Sequence, residues 1–335
     1  MLDFLRGIAS LGVCVGHMGF IASLRYADTV FDYGRLGVPV FFVISGFIIP
    51  YSLYANNYRL RNYFTFILKR IVRLDPPYFV AILLIIAMQY AAYAIPRQGA
   101  PFNINLTQVL LHLGYLNAFV GYPWLNTVFW TLAVEFQFYL LIGLIYPLIF
   151  SRDLRIRVAM IVAFIVLSRL MPHLWYVFGH LCQFLMGIAA CQYRIGLIGK
   201  RQCIFLVLLA AVFTALAAGL GVAWTLAGLL SVVFILNLQL KSKLALFFGN
   251  ISYSLYLLHA PVGYMAHGVF ARLMGIEQSA FRGFVAFMVP LAASIIAAYL
   301  LYRFVELPAR KWSKMFRYSG PRTESLSVRV EERVA

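Results

Sequence analysis

Apolar runs of bilayer-crossing length dominate this chain, and short polar stretches rich in Arg and Lys separate them. A hydrocarbon core takes roughly 17–25 apolar residues per helix. Ten stretches meet that need: 8–24, 36–55, 77–96, 127–149, 157–171, 174–193, 203–220, 222–238, 250–270 and 284–304. The pattern predicts an all-α polytopic membrane protein of about ten transmembrane helices. The Pro76–Pro77 pair is expected at the start of the third span, where a first helical turn tolerates proline. Between the third and fourth spans, 104–122 mixes Leu106, Val109, Leu110, Leu113 and Leu116 with Asn and His, which reads as an interfacial or re-entrant segment. No internal or inverted repeat is evident. Residues 1–316 read as one transmembrane domain and 317–335 as a polar, disordered cytoplasmic tail.

Composition agrees. Of 335 residues, 63% are hydrophobic and 12% charged, against about 25% charged in a soluble domain, so a water-soluble surface is excluded. The net charge of +17 would raise nucleic acid as a partner in a soluble protein. Here the basic residues sit in the loops and set topology. With ten spans and the N-terminus inside, 22 of the 28 Lys and Arg fall on the inner side. That bias predicts both termini in the cytoplasm, a multi-pass protein of the inner membrane of a bacterium, and no nucleic-acid partner. Cys14, Cys182, Cys191 and Cys203 show neither paired nor metal-ligand spacing, so no disulfide framework and no metal are expected. The first span lacks a clear cleavage motif and reads as a retained helix.

Ionisable residues inside apolar spans are the candidates for chemistry. His17 lies in the first span, Glu135 in the fourth and His259 in the ninth. Arg6 precedes His17 by eleven residues, roughly 16 Å along a helix and within about 20° of a whole number of turns, so both occupy one face. A His with a carboxylate partner is a general-base arrangement. An interhelical hydrogen bond for either His, and an interfacial carboxylate for Glu135, are the structural alternatives. Arg70 and Arg73 share a helix face, where two guanidinium forks suit a phosphate or pyrophosphate, although inner-loop topology predicts basic residues there too. Ser45–Gly46, set among aromatics, favours close helix packing over nucleophilic chemistry.

These residues resemble the acyltransferase 3 family of integral-membrane O-acyltransferases. Leu5-Arg6-Gly7-Ile8-Ala9 followed by His17 matches its Arg-x10-His signature, and Phe41-Phe42-Val43-Ile44-Ser45-Gly46-Phe47 looks like its second-span motif. Arg70-x-x-Arg73-Leu74 with Pro76 and Tyr78 is similar to its cytoplasmic Arg-rich motif. Trp130-Thr131-Leu132-Ala133-Val134-Glu135 with Phe138-Tyr139 is similar to its Trp-Ser-Leu-x-x-Glu-x-x-Phe-Tyr segment. Ile251 to His259 and Val305-Glu306-x-Pro308 look like its closing motifs. The resemblance covers residues 2–312. Asp75 departs from it, standing where the family more often has an aromatic or aliphatic residue.

The resemblance implies transfer of an acyl group, usually acetyl, from cytoplasmic acyl-CoA as co-substrate to a hydroxyl of a cell-surface or lipid-linked glycan. On this reading His17 and Glu135 are catalytic, and Arg6, Arg70 and Arg73 hold the donor's phosphates. Ser45, Tyr139, His259 and Glu306 bind substrate or keep the structure. Direct transfer and an acyl-histidine intermediate both fit. The polar segment 97–126 is the candidate reader of a sugar. A transporter using His and Glu as a proton relay, or a translocator handing acyl groups to a separate transferase, is the alternative.

Overall fold

The computed structural model describes residues 2–22, 33–94, 103–173, 176–216, 221–237, 242–274 and 280–318. The expected polar tail, apart from Arg317 and Tyr318, lies outside them, as do Arg25 and Arg97. Among the described residues the chain is helical and contains no strand. The principal helices are α1 (Leu2–Ala22), α2 (Gly37–Ala55), α3 (Tyr63–Ala94), α4 (Leu106–Leu113), α5 (Asn117–Val120), α6 (Phe129–Ile149) and α7 (Leu154–Leu170). They continue as α8 (Leu181–Arg194), α9 (Lys200–Ala215), α10 (Gly221–Asn237), α11 (Lys243–Met274), α12 (Ala280–Leu301) and α13 (Leu307–Ser313). Each stretch expected to span the bilayer overlaps one helix. Among the described residues four helical stretches are long and apolar enough to cross a membrane: Tyr33–Ala55, Leu60–Ala94, Phe129–Ile149 and Phe281–Ser313.

One expectation fails at α3. Its helix starts at Tyr63, so Pro76 and Pro77 lie in its interior and do not open it. Proline cannot donate to the carbonyl four residues back, which leaves Val72 and Arg73 without those bonds. Protein-buried membrane helices accommodate such breaks. The chain divides into two compact units, and one division falls between Val72 and Arg73.

The first unit comprises Met1–Val38, Arg73–Ala133 and Leu240–Lys311. Here α1 packs against α11 and α12 around Cys14, Met18, Ile251, Leu255 and Ala298. Small residues make the approach close: a Cβ at Gly7 would come within 2.9 Å of the Gly249 nitrogen. The single turn Tyr33–Leu36 lies against α1, because Gly34 faces Gly12 and Gly16 and Gly37 faces the Ala9 carbonyl. Beyond α12 a π-helical turn, Tyr302–Glu306, turns Glu306 inward. Glu306 accepts from Ser254 at 2.6 Å and pairs with Arg310 at 2.5 Å, tying α13 to α11.

The segment expected to be interfacial also belongs to the first unit, and its faces are inverted. Leu106, Leu110, Leu113, Leu116, Phe119 and Val120 are exposed, whereas Gln108, His112 and Asn117 are buried. Apolar outside and hydrogen-bonded polar inside is the pattern that a lipid-facing segment requires.

The second unit comprises Pro39–Val72, Val134–Gln239 and Trp312–Ala335. Its crossing of α2 and α8 uses reciprocal glycines. A Cβ at Gly46 would overlap the Phe184 carbonyl, and one at Gly187 would overlap the Val43 carbonyl. Close packing is therefore the role of Gly46. Phe138 and Phe184 stack beside this crossing with centroids 4.0 Å apart.

Candidate functional site

In the first unit the two histidines expected within spans meet. The rings of His17 on α1 and His259 on α11 make an edge contact, with centroids 4.9 Å apart. His17 is half-buried and places Nδ1 2.9 Å from the Val13 carbonyl, one turn back. A carbonyl only accepts, so Nδ1 carries the proton of the neutral ring and Nε2 holds the basic lone pair. His259 repeats the arrangement. Its Nδ1 lies 3.0 Å from the Leu255 carbonyl and 2.9 Å from that of Tyr256, and the residue is fully buried. Arg6, half-buried, stands eleven residues before His17 on α1.

In the second unit Ser45 donates to Glu135 Oε1 at 2.6 Å. The partner that the sequence did not reveal for Ser45 is thus a carboxylate on α6. Glu135 finds its hydrogen bond with Ser45, while His17, in the other unit, finds its contacts with Val13 and His259. Gln183 accepts from the neighbouring His180 Nδ1–H at 2.8 Å, and its own buried Nε2 has no partner.

Arg70, also in the second unit, lies between two aromatic faces. Its guanidinium carbon is 5.3 Å from the Phe66 centroid and 5.5 Å from that of Tyr139. Such contacts contribute about 0.5–2 kcal/mol each and fix the guanidinium plane. The Arg70 Nε–H is buried and unbonded, so a donor remains for an anion. Tyr139 was invisible as an Arg70 partner from spacing, since it lies on another helix, whereas Phe66 stands four residues before Arg70, one turn back on the same helix. Arg73 is half-buried, three residues further along α3.

Most polar groups of the candidate sugar-reading segment are committed within the first unit. Asn105 caps α4 by accepting from the Gln108 amide at 2.7 Å. Leu125 N–H donates to His112 Nε2 at 3.0 Å, so His112 is neutral with its proton on Nδ1, donated to the Gln108 carbonyl at 2.7 Å. Burial lowers the pKa of this ring below the usual imidazole value. Gln108 Nε2 reaches the Pro123 carbonyl, and Asn126 Nδ2 reaches that of Leu257. Tyr115 donates to Asp75 at 2.9 Å, and burial holds its phenol well above the ordinary value. Asp75 is thereby accounted for as the anchor of this segment on α3. Sequence reasoning missed that role because Tyr115 is forty residues away.

Among the described residues no group of three or more His, Cys, Asp or Glu could hold a metal ion. All four cysteines are buried thiols.

The chain is 27% identical to the "Putative acetyltransferase ORF330" of Acidianus two-tailed virus over 295 residues, 81% of this chain and 85% of that protein. It is 29% identical to the O-acetyltransferase OatA of Staphylococcus aureus strain NCTC 8325 / PS 47 over 161 residues, 45% of this chain. OatA of strain COL matches to the same extent. The match spans a quarter of the length of the OatA proteins. No solved structure matches. Residues 1–303 match the family described as an acyltransferase domain, a range that holds Arg6, His17, Arg70, Ser45 and Glu135, and this helical membrane protein belongs to the acyltransferase 3 family and is an acyltransferase.

Proposed function

We propose that the protein transfers an acetyl group from cytoplasmic acetyl-CoA to a hydroxyl of a cell-surface or lipid-linked glycan. It does so as a ten-span protein of a bacterial cytoplasmic membrane, with both termini on the cytoplasmic side. The observation that carries this reading is the state of His17. Its Nδ1 proton is fixed on the Val13 carbonyl, which leaves a basic Nε2 on a half-buried ring within an apolar helix. Such a nitrogen is a general base.

The donor binds with its phosphates on Arg70 and Arg73, and Arg6 guards the cytoplasmic end of α1. His17 Nε2 takes the proton of the acceptor hydroxyl as its oxygen attacks the thioester carbonyl. The carbon–sulfur bond breaks, and the CoA thiolate leaves and recovers the proton from His17. Glu135, oriented by Ser45, is the second catalytic residue of this reading, and Tyr139 holds Arg70 for the donor.

Mass spectrometry of surface glycans and lipids from cells with and without the gene tests the acceptor. The expected result is loss of one acetyl mass from one glycan. Unchanged glycans, together with purified protein that moves a solute but releases no thiol from acetyl-CoA, would establish a transporter.

A further inference from the structure

His259 carries an unexplained atom. Its Nε2 is buried and makes no hydrogen bond, although burying an unpaired acceptor costs about 1–3 kcal/mol and native structures rarely leave one. With Nδ1–H aimed at the carbonyls of Leu255 and Tyr256, that Nε2 is a lone pair. The neighbouring His17 is in the same state, its Nδ1–H directed to Val13. Two neutral imidazoles so arranged offer each other two acceptors and no donor, so the resting pair cannot close a hydrogen bond.

One event removes the conflict. When His17 Nε2 gains a proton, it becomes a donor beside a buried acceptor that has no other partner. The 4.9 Å centroid separation is short enough for an N–H···N bond of about 2.9 Å once the rings turn toward each other. The bond exists only after proton capture, so it favours the charged state formed during reaction over the ground state. Among the described residues no carboxylate bonds to either ring, and Tyr256 faces His259 with its ring centroid 5.8 Å away.

We propose that His259 is a positioning residue for the reaction, its Nε2 lone pair receiving the hydrogen bond of protonated His17 while the acyl group moves. This rests on the reading of His17 as the general base. The proton shared between the rings returns to the CoA thiolate, so nothing is consumed at His259.

The test compares purified full-length wild type, His259→Leu, His259→Met and His259→Asn. Acetyl-CoA-dependent thiol release is measured with acceptor-containing membrane extract, and thermal unfolding and the KM for acetyl-CoA are followed alongside. Asn restores an amide N–H and an acceptor oxygen; Leu and Met restore neither. The expected result is a kcat at least tenfold lower for Leu and Met, with KM within twofold of wild type, and recovery of most of the loss by Asn. Full kcat in Leu or Met, or a loss that Asn does not relieve, overturns the proposal. Met stands in should Leu fail to fold. A His17→Ala control separates the two readings. If that variant keeps its activity, the general-base assignment itself fails; if it is inactive while His259→Leu is not, only the role of His259 is lost.

Discussion

His17 shows how a single helical hydrogen bond decides chemistry. Donation of Nδ1–H to the carbonyl one turn back settles the tautomer without any carboxylate, so under the proposed function the base is ready before substrate arrives. General-base catalysis is worth about 10²–10⁴-fold. Glu135→Gln is expected to lower turnover by at least tenfold, read as kcat for thiol release with folding checked by size-exclusion chromatography. Ser45→Ala removes the donor to Glu135, and a hydrogen bond to a charged group contributes about 1.5–3 kcal/mol. A lower thermal midpoint is predicted in a detergent-purified sample, and an unchanged midpoint would remove the bond from the account. At this scale the sequence made His17, Glu135 and His259 conspicuous, because ionisable residues stand out in apolar runs. Their partners were hidden: Ser45 and Glu135 are ninety residues apart, and no local period joins two helices.

The elements were legible where a period or a length constraint applied. Helices appear at every apolar run, because backbone polar groups in lipid must be satisfied within the segment. Proline misled at α3, where 76 and 77 sit inside a helix of 32 residues. A first-turn rule for soluble helices does not account for neighbours that tolerate a break. The α2–α8 crossing gives a sharp test. Gly187→Ala and Gly46→Ala each place a methyl against a backbone carbonyl that cannot move aside. Either substitution should destabilise by about 1–3 kcal/mol, measured as a fall in thermal midpoint, whereas Gly121→Ala meets no atom within 4 Å but carries a φ of +76° and tests backbone strain alone. The segment α4–α5 should respond to pH. Burial lowers the folded pKa of His112, so below the unfolded value of about 6.5 the unfolded state binds more protons. Its contribution is complete above that pH and declines as pH falls through it. Hydrogen exchange over 105–126 should therefore accelerate between neutral pH and pH 5 after correction for intrinsic rates, and His112→Asn should flatten that dependence.

At the scale of the whole molecule, composition and structure agree on the class: 63% of 335 residues are hydrophobic, and four helices among the described residues are fit to cross a bilayer. The distribution of Lys and Arg predicts an orientation, with the C-terminus in the cytoplasm, which a fluorescent protein fused after Ala335 tests directly. Fluorescence in intact cells is the predicted result, and a dark, periplasmic fusion would reverse the topology. What composition could not convey is that the polar residues of 103–126 mostly hold one another, leaving far less of that segment for a glycan than its Asn and His content suggested. Trp124, half-buried and edge-on to His112 with centroids 5.5 Å apart, remains its candidate contact for a sugar ring.

The proposed transfer depends on the basic nitrogen of His17. Radiolabelled acetyl-CoA supplied to proteoliposomes, with label followed into lipid and glycan, measures it most directly in wild type and His17→Ala at equal amounts of folded protein. The prediction is acceptor labelling in wild type and a drop of at least a hundredfold in the variant, with acetyl-CoA binding retained. Equal labelling by both proteins would contradict it.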